Sequence, residues 1–172
     1  MQKKLGFMIL SAALVMPLAA HAEGNYFKAG VGSSEYKFEE LSENKTAVNI
    51  AYGFSLNKNF DVELGYANLG KLKTIDGDYS VQTQSFYVAG VGNLPLTDAF
   101  SAFGKVGVAV NHFSAKETGF ADTTETKARG LLGLGLAYNF TKEVAGTLEY
   151  QYFGTVDQVR ISALTLGVKY GF

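Results

Sequence analysis

The sequence predicts an all-β protein, an eight-stranded antiparallel up-and-down transmembrane β-barrel, and three observations carry that prediction. In segment after segment the residues alternate between an apolar parity and a small or polar one. The connections between segments alternate in length, and aromatic residues gather at one end of the segments. Successive strand residues point to opposite faces, so this alternation puts an apolar medium on one side of a sheet and something else on the other.

At 172 residues the chain is sized for one domain. The first 22 residues stand apart from it. Lys3 and Lys4 make a basic start, Gly6 to Ala19 an apolar run, and Ala20-His21-Ala22 a small-x-small cleavage site. Together they read as a secretory signal peptide, leaving residues 23–172 as the barrel domain of an exported protein. Without Lys3 and Lys4 the 15 basic residues fall to 13 against 16 acidic ones, which offers nothing to nucleic acid. The chain has no cysteine, so neither a disulfide framework nor a thiolate site can exist. Beyond residue 22 no apolar stretch approaches the length of a spanning helix. A soluble β domain and a membrane barrel remain.

The segments decide between them. Near the start, NYFKAGVGS (25–33) sets Phe27, Ala29 and Val31 against Lys28, Gly30 and Gly32. In AVNIAYGFSL, Val48, Ile50, Tyr52 and Phe54 oppose Ala47, Asn49, Ala51, Gly53 and Ser55, and in FDVELGYA, Phe60, Val62, Leu64 and Tyr66 oppose Asp61, Glu63, Gly65 and Ala67. QTQSFYVAGVGN (82–93) is a strand whose faces the pattern does not assign. AFSAFGKVGVAVNH (99–112) sets Val106, Val108 and Val110 against Lys105, Gly107 and Ala109. RGLLGLGLAYNF alternates Leu132, Leu134, Leu136, Tyr138 and Phe140 with Arg129, Leu131, Gly133, Gly135 and Ala137. VAGTLEYQYF opposes Val144, Leu148, Tyr150 and Tyr152 to Ala145, Thr147, Glu149 and Gln151. SALTLGVKYGF opposes Leu164, Leu166, Val168, Tyr170 and Phe172 to Ala163, Thr165, Gly167, Lys169 and Gly171. Eight strands of roughly 9 to 12 residues suit a tilted crossing of an outer membrane.

The connections LNKN, LPLTD and TKE are short, whereas those around Glu35 to Asn44, Asn68 to Tyr79, Phe113 to Thr124 and Gly154 to Gln158 are mostly longer and polar. Short turns inside and long loops outside are the outer-membrane pattern. Phe27, Phe54, Phe60, Phe100, Tyr138 and Phe140, with Tyr170 and Phe172, fall at the short-turn ends and make one interfacial girdle. Tyr66, Tyr150 and Tyr152 are candidates for the other. Closing the sheet lets every backbone polar group pair inside lipid.

An eight-stranded interior is only wide enough for side chains to fill. The inward parity carries Lys28, Asp61, Glu63, Lys105, Lys127, Arg129, Glu149 and Lys169, which must pair or keep water. We expect a network joining Glu63 and Glu149 to nearby lysines, with Lys127 and Arg129 higher up. No set of residues has metal-ligand spacing, His112 being the only histidine after the signal segment. The glycine pairs lie inside strands, without the strand-to-helix turn of a phosphate loop. No cofactor is expected.

FDVELGYANLG, GNLPLTDAFSAFGKVGVAV and TLEYQYFG, in that order, resemble the OmpA-like and OmpX/opacity-type eight-stranded outer-membrane barrels, a porin-like class of the cell envelope. The resemblance covers the barrel and not the peptidoglycan-binding domain of full OmpA proteins. It implies a structural, envelope-integrity role with a lumen plugged by side chains, in contact with outer-membrane lipid and lipopolysaccharide. Tyr170-Gly171-Phe172 is similar to the terminal signal read by the barrel-assembly machinery, to which export chaperones would deliver the chain. The alternatives are an OmpX-type surface adhesin working through loops such as SSEYKFEELSENK, and a narrow ion channel. A remoter one is a lipid A-modifying enzyme, because His112 and Ser114 resemble the His-x-Ser pair of barrel deacylases, with Glu125 as the orienting carboxylate. We expect no catalysis.

Overall fold

The computed structural model describes residues 24–38, 41–73, 79–117, 123–156 and 158–172. The signal segment, with Ala20 and Ala22, lies outside them. Eight strands follow one another: β1 (Tyr26–Phe38), β2 (Leu41–Asn57), β3 (Phe60–Lys73), β4 (Tyr79–Pro95), β5 (Phe100–Glu117), β6 (Thr123–Asn139), β7 (Val144–Val156) and β8 (Val159–Gly171). Each pairs antiparallel with its sequence neighbour, and β1 pairs with β8 from Tyr26↔Gly171 to Lys37↔Arg160, which closes the barrel. The predicted fold class is thus the observed one, and closure leaves no free edge within the lipid-facing belt.

The strands run 13 to 18 residues, longer than the roughly 9 to 12 expected from a membrane crossing. Hydrophobic alternation marks only the stretch that meets lipid, whereas the hydrogen-bonded ladder continues into polar sequence. β1 and β2 stay in register from Glu35↔Asn44 to Phe38↔Leu41, inside what the composition presents as a loop. β5 and β6 pair up to Ala115↔Thr123 in the same way. On the opposite side the three turns are tight, and each is held by one side chain that accepts two backbone N–H groups. Asn57 Oδ1 accepts from Asn59 and Phe60, Thr97 Oγ1 from Ala99 and Phe100, and Thr141 Oγ1 from Glu143 and Val144.

Burial alternates as the parity requires. Leu132, Leu134 and Leu136 are exposed on the outer face while Leu131, Gly133 and Ala137 are buried within. The strand the pattern leaves unassigned, β4, turns Thr83, Ser85, Tyr87, Ala89 and Val91 inward and Phe86 and Val88 outward. Its faces are illegible because Phe86 and Tyr87 adjoin, so both parities carry aromatic and aliphatic residues. Gly70 and Gly154, at φ 90° and 92°, sit where the β3–β4 and β7–β8 registers shift, a backbone region that favours glycine.

Candidate functional site

The lumen holds the site. Lys28 on β1, Glu63 on β3, Lys105 on β5 and Glu149 on β7 come from alternate strands, and their signs alternate around the barrel. Lys28 Nζ lies 3.1 Å from Glu63 and 2.6 Å from Glu149. Lys105 Nζ lies 2.5 Å from Glu149 and also pairs with Glu63, so four ion pairs close a ring. All four residues are at most 5 % exposed. Two ammonium groups balance two carboxylates, the condition for keeping such charges out of water.

Glu63 is the hub of this ring. Besides both lysines, the Tyr26 hydroxyl donates to it at 3.0 Å and the Tyr87 hydroxyl at 2.8 Å. Lys28 and Lys105 also lie over the Phe103 ring at 5.7 and 5.9 Å. Each of these three aromatics faces a glycine directly across its strand pair: Tyr26↔Gly53, Tyr87↔Gly65 and Phe103↔Gly135. A Cβ on any of those glycines would run into the opposing ring. The small inward residues are therefore the beds on which the rings lie. In Gly65→Val the Tyr87 ring must swing away from Glu63, and unfolding by urea should show a loss of about 1–3 kcal/mol. Gly90→Val, whose new Cβ points into open space on the outer face, is the control. Equal stability of the two variants would refute this packing account.

Asp61 and Lys169 sit on the short-turn side of the ring. Asp61 accepts a hydrogen bond from Asn93 Nδ2 at 2.8 Å, and Lys169 Nζ stands 4.2 Å over the Tyr26 ring. Toward the long-connection end, Asn49 Nδ2 donates to Gln151 Oε1 at 3.3 Å across the lumen. Above that layer large apolar side chains join buried Ser34, Thr83 and Asn111. Tyr36, Leu69, Leu131, Phe153, Val156 and Ile161 form one buried cluster, with Leu69, Leu131 and Phe153 fully enclosed. The inward parity stays mostly small and polar here, and the closed eight-stranded end is narrow enough to bury its few large apolar side chains against one another. Lys127 and Arg129 stay out of the ring. Lys127 pairs with Glu125 at 3.4 Å, and Arg129 Nε donates to the Thr155 carbonyl at 2.9 Å. Tyr26, Tyr87 and Phe103 are the site residues that sequence reasoning missed. Their signal is an inward aromatic paired with an inward glycine, and it needs the register to be seen.

On the outer face the short-turn end carries exposed rings in contact with one another. Phe27 meets Tyr52 at 4.8 Å, Tyr52 meets Phe54 at 4.6 Å, and Tyr138 meets both Phe100 and Phe140 at 5.2 Å. Tyr52 joins the expected set, and Phe60 is exposed at the same end. Tyr170 stacks on Phe172, whose N–H donates to the Asn25 carbonyl at 2.9 Å. The His112 imidazole contacts the Thr126 hydroxyl of β6, at 3.1 Å from Nε2, and not Ser114. Glu125 is turned to Lys127 on the other parity, so no acid–base–nucleophile chain forms from the three residues.

Residues 5–172 match the model of the outer membrane protein beta-barrel domain. The chain is 26 % identical over 213 aligned positions to outer membrane protein P5 of Haemophilus influenzae, covering 99 % of this chain and 60 % of that protein. The chain thus spans about three fifths of that relative. Among solved structures, Neisserial surface protein A superposes with a TM-score of 0.73 at 19 % identity, over 88 % of this chain and 99 % of that one. Ail, the attachment invasion locus protein of Yersinia pestis, solved with the heparin analogue sucrose octasulfate, superposes with a TM-score of 0.68 at 18 % identity, over 87 % and 99 %. These likenesses concern the fold.

Proposed function

The chain belongs to the family of outer membrane protein β-barrel domains, and from that membership we propose a structural role in the envelope, performed by a barrel whose lumen is held shut. The observation that supports closure is the ring of Lys28, Glu63, Lys105 and Glu149, bridged in four places across the interior. An ion entering this layer would have to break charge-assisted contacts in a site without bulk water. The apolar cluster around Leu131 and Phe153 offers a second barrier that no hydrated ion crosses cheaply. A barrel of this kind contributes a rigid, lipid-filling body to the outer membrane. Its chemistry is the absence of an open path.

Residues 23–172, refolded and checked for the faster gel migration of an unboiled barrel, should show no stable single-channel openings in a planar bilayer. Steady, charge-selective openings would make the ring a conduction site and overturn the closed-lumen reading.

A second reading, attachment to an external surface, draws on the length of β4, β5 and β6, whose ladders continue to Tyr79↔Glu117 and Ala115↔Thr123. It also draws on Ail, a protein named for attachment and solved with a heparin analogue. Replacing the connections that join β1 to β2 and β5 to β6 without loss of cell adhesion would count against it. The outward-facing Tyr170 and Phe172 fit a terminal signal presented to an assembly machinery during insertion.

A further inference from the structure

We propose that Lys37 and Arg160 hold a phosphate group of an outer-leaflet lipid, whose acyl chain lies in a groove descending the outer face from Tyr152. Lys37 on β1 and Arg160 on β8 stand directly opposite each other at the long-connection end of the barrel seam. They share the outward parity of Val31 and Leu164, and both are exposed. Like charges facing across an antiparallel pair repel. Among the described residues no ion pair joins either of them to a carboxylate. Glu35, the next outward residue of β1, stands opposite Ser162. A phosphate between the two cations converts their repulsion into two charge-assisted contacts. The Arg160 guanidinium already lies over the Tyr152 ring at 5.9 Å, and the Tyr152 hydroxyl is tied to Thr155 Oγ1 at 2.7 Å. Stacking on a ring leaves the N–H edge of the guanidinium free for a planar acceptor.

From Arg160 and Tyr152 a groove of about 1010 Å³ runs across the outer face to Phe60. Its floor is made by Gly90, Gly92 and Gly104, with Gly92 directly opposite Gly104. A Cβ at Gly92 would come no nearer than 3.9 Å to Phe60, and one at Gly104 no nearer than 3.7 Å to Leu134. The register steps Tyr150↔Leu134, Leu134↔Gly104, Gly104↔Gly92 and Gly92↔Phe60 cross one strand at a time. Strands of such barrels tilt by about 35–45°, so this path descends from the long-connection end toward the short turns. A cationic seat above an oblique apolar channel matches an acidic headgroup above a flexible chain. The proposal stands whether or not the lumen conducts.

The experiment compares retention of three probes by the detergent-extracted protein in native mass spectrometry: a diphosphorylated, multiply acylated glycolipid, the same lipid dephosphorylated, and inorganic phosphate. The phosphorylated lipid should be preferred over its dephosphorylated form by about tenfold, the worth of one good charge-assisted contact. The preference should vanish in Lys37→Gln/Arg160→Gln, whose folding is checked by heat-modifiable migration. Gly92→Leu/Gly104→Leu should weaken retention of both lipids while keeping the preference between them. Equal retention of the two lipids by the parent protein, or an undiminished preference in the Lys37/Arg160 variant, would overturn the phosphate seat. Retention of inorganic phosphate as strong as that of the lipid would make the site a free-anion site and overturn the lipid assignment. Unchanged lipid retention in the glycine variant would overturn the groove.

Discussion

Glu63→Gln is expected to lower the stability of the barrel by about 3–5 kcal/mol, the cost of leaving a buried charge without its partner. Glu63 is 1 % exposed and receives hydrogen bonds from Lys28, Lys105, Tyr26 and Tyr87. Glutamine keeps the shape and one acceptor but removes the charge, so two enclosed ammonium groups are left sharing Glu149. Both ammonium groups are almost wholly out of solvent, with side chains 4 % and 0 % exposed. The measurement is a urea titration of the refolded protein in lipid vesicles, followed by the gel shift of the folded form. Glu63→Gln/Lys105→Met, which restores one cation to one anion, should recover part of the loss. A single variant within about 0.5 kcal/mol of the parent, the range of ordinary surface substitutions, would show that the ring does not hold the lumen together.

Phe153→Ala should cost a similar amount, about 3–5 kcal/mol, by a different mechanism. The side chain is fully enclosed in the apolar cluster, with its ring edge-on to Tyr87 at 6.4 Å, and its carbonyl accepts from Asn111 Nδ2 at 2.9 Å. Truncation leaves a cavity walled by strands that cannot collapse inward, because the closed ladder fixes their spacing. Phe153→Leu, which keeps most of the volume, should lose less than about 1.5 kcal/mol. The same titration checks both. Equal midpoints for the alanine and leucine variants would mean that the upper lumen is not a packed core.

The strands and their facing were largely legible in advance because they are local properties. Leu132, Leu134 and Leu136 declare a lipid face within six residues, and Glu63 and Glu149 declare an inward one by the company they keep. Where the alternation blurs, as at Phe86 and Tyr87, the facing of β4 could not be read and the register had to supply it. Strand ends are hidden in the sequence for a related reason. Polar residues such as Ser114 and Thr124 pair as well as leucines do once the ladder is running, but carry no periodic signal of it.

The sequence by itself determined that this is an eight-stranded barrel, which residues look inward, and that lysines and glutamates must meet there, since side-chain direction has a period of two and needs no partner to define it. Only the tertiary structure decided which of them meet. Lys28 and Glu149 touch across 121 residues of chain, and they do so because closure of β1 on β8, Lys28↔Lys169, and the pairing of β7 with β8, Glu149↔Thr165, set the heights of two strands that are not neighbours. Relative height is a sum of registers around the whole barrel. A parity rule holds no information about that sum, which is why the ring's members are legible in the sequence while the aromatics around it, Tyr26, Tyr87 and Phe103 on their glycine beds, are not.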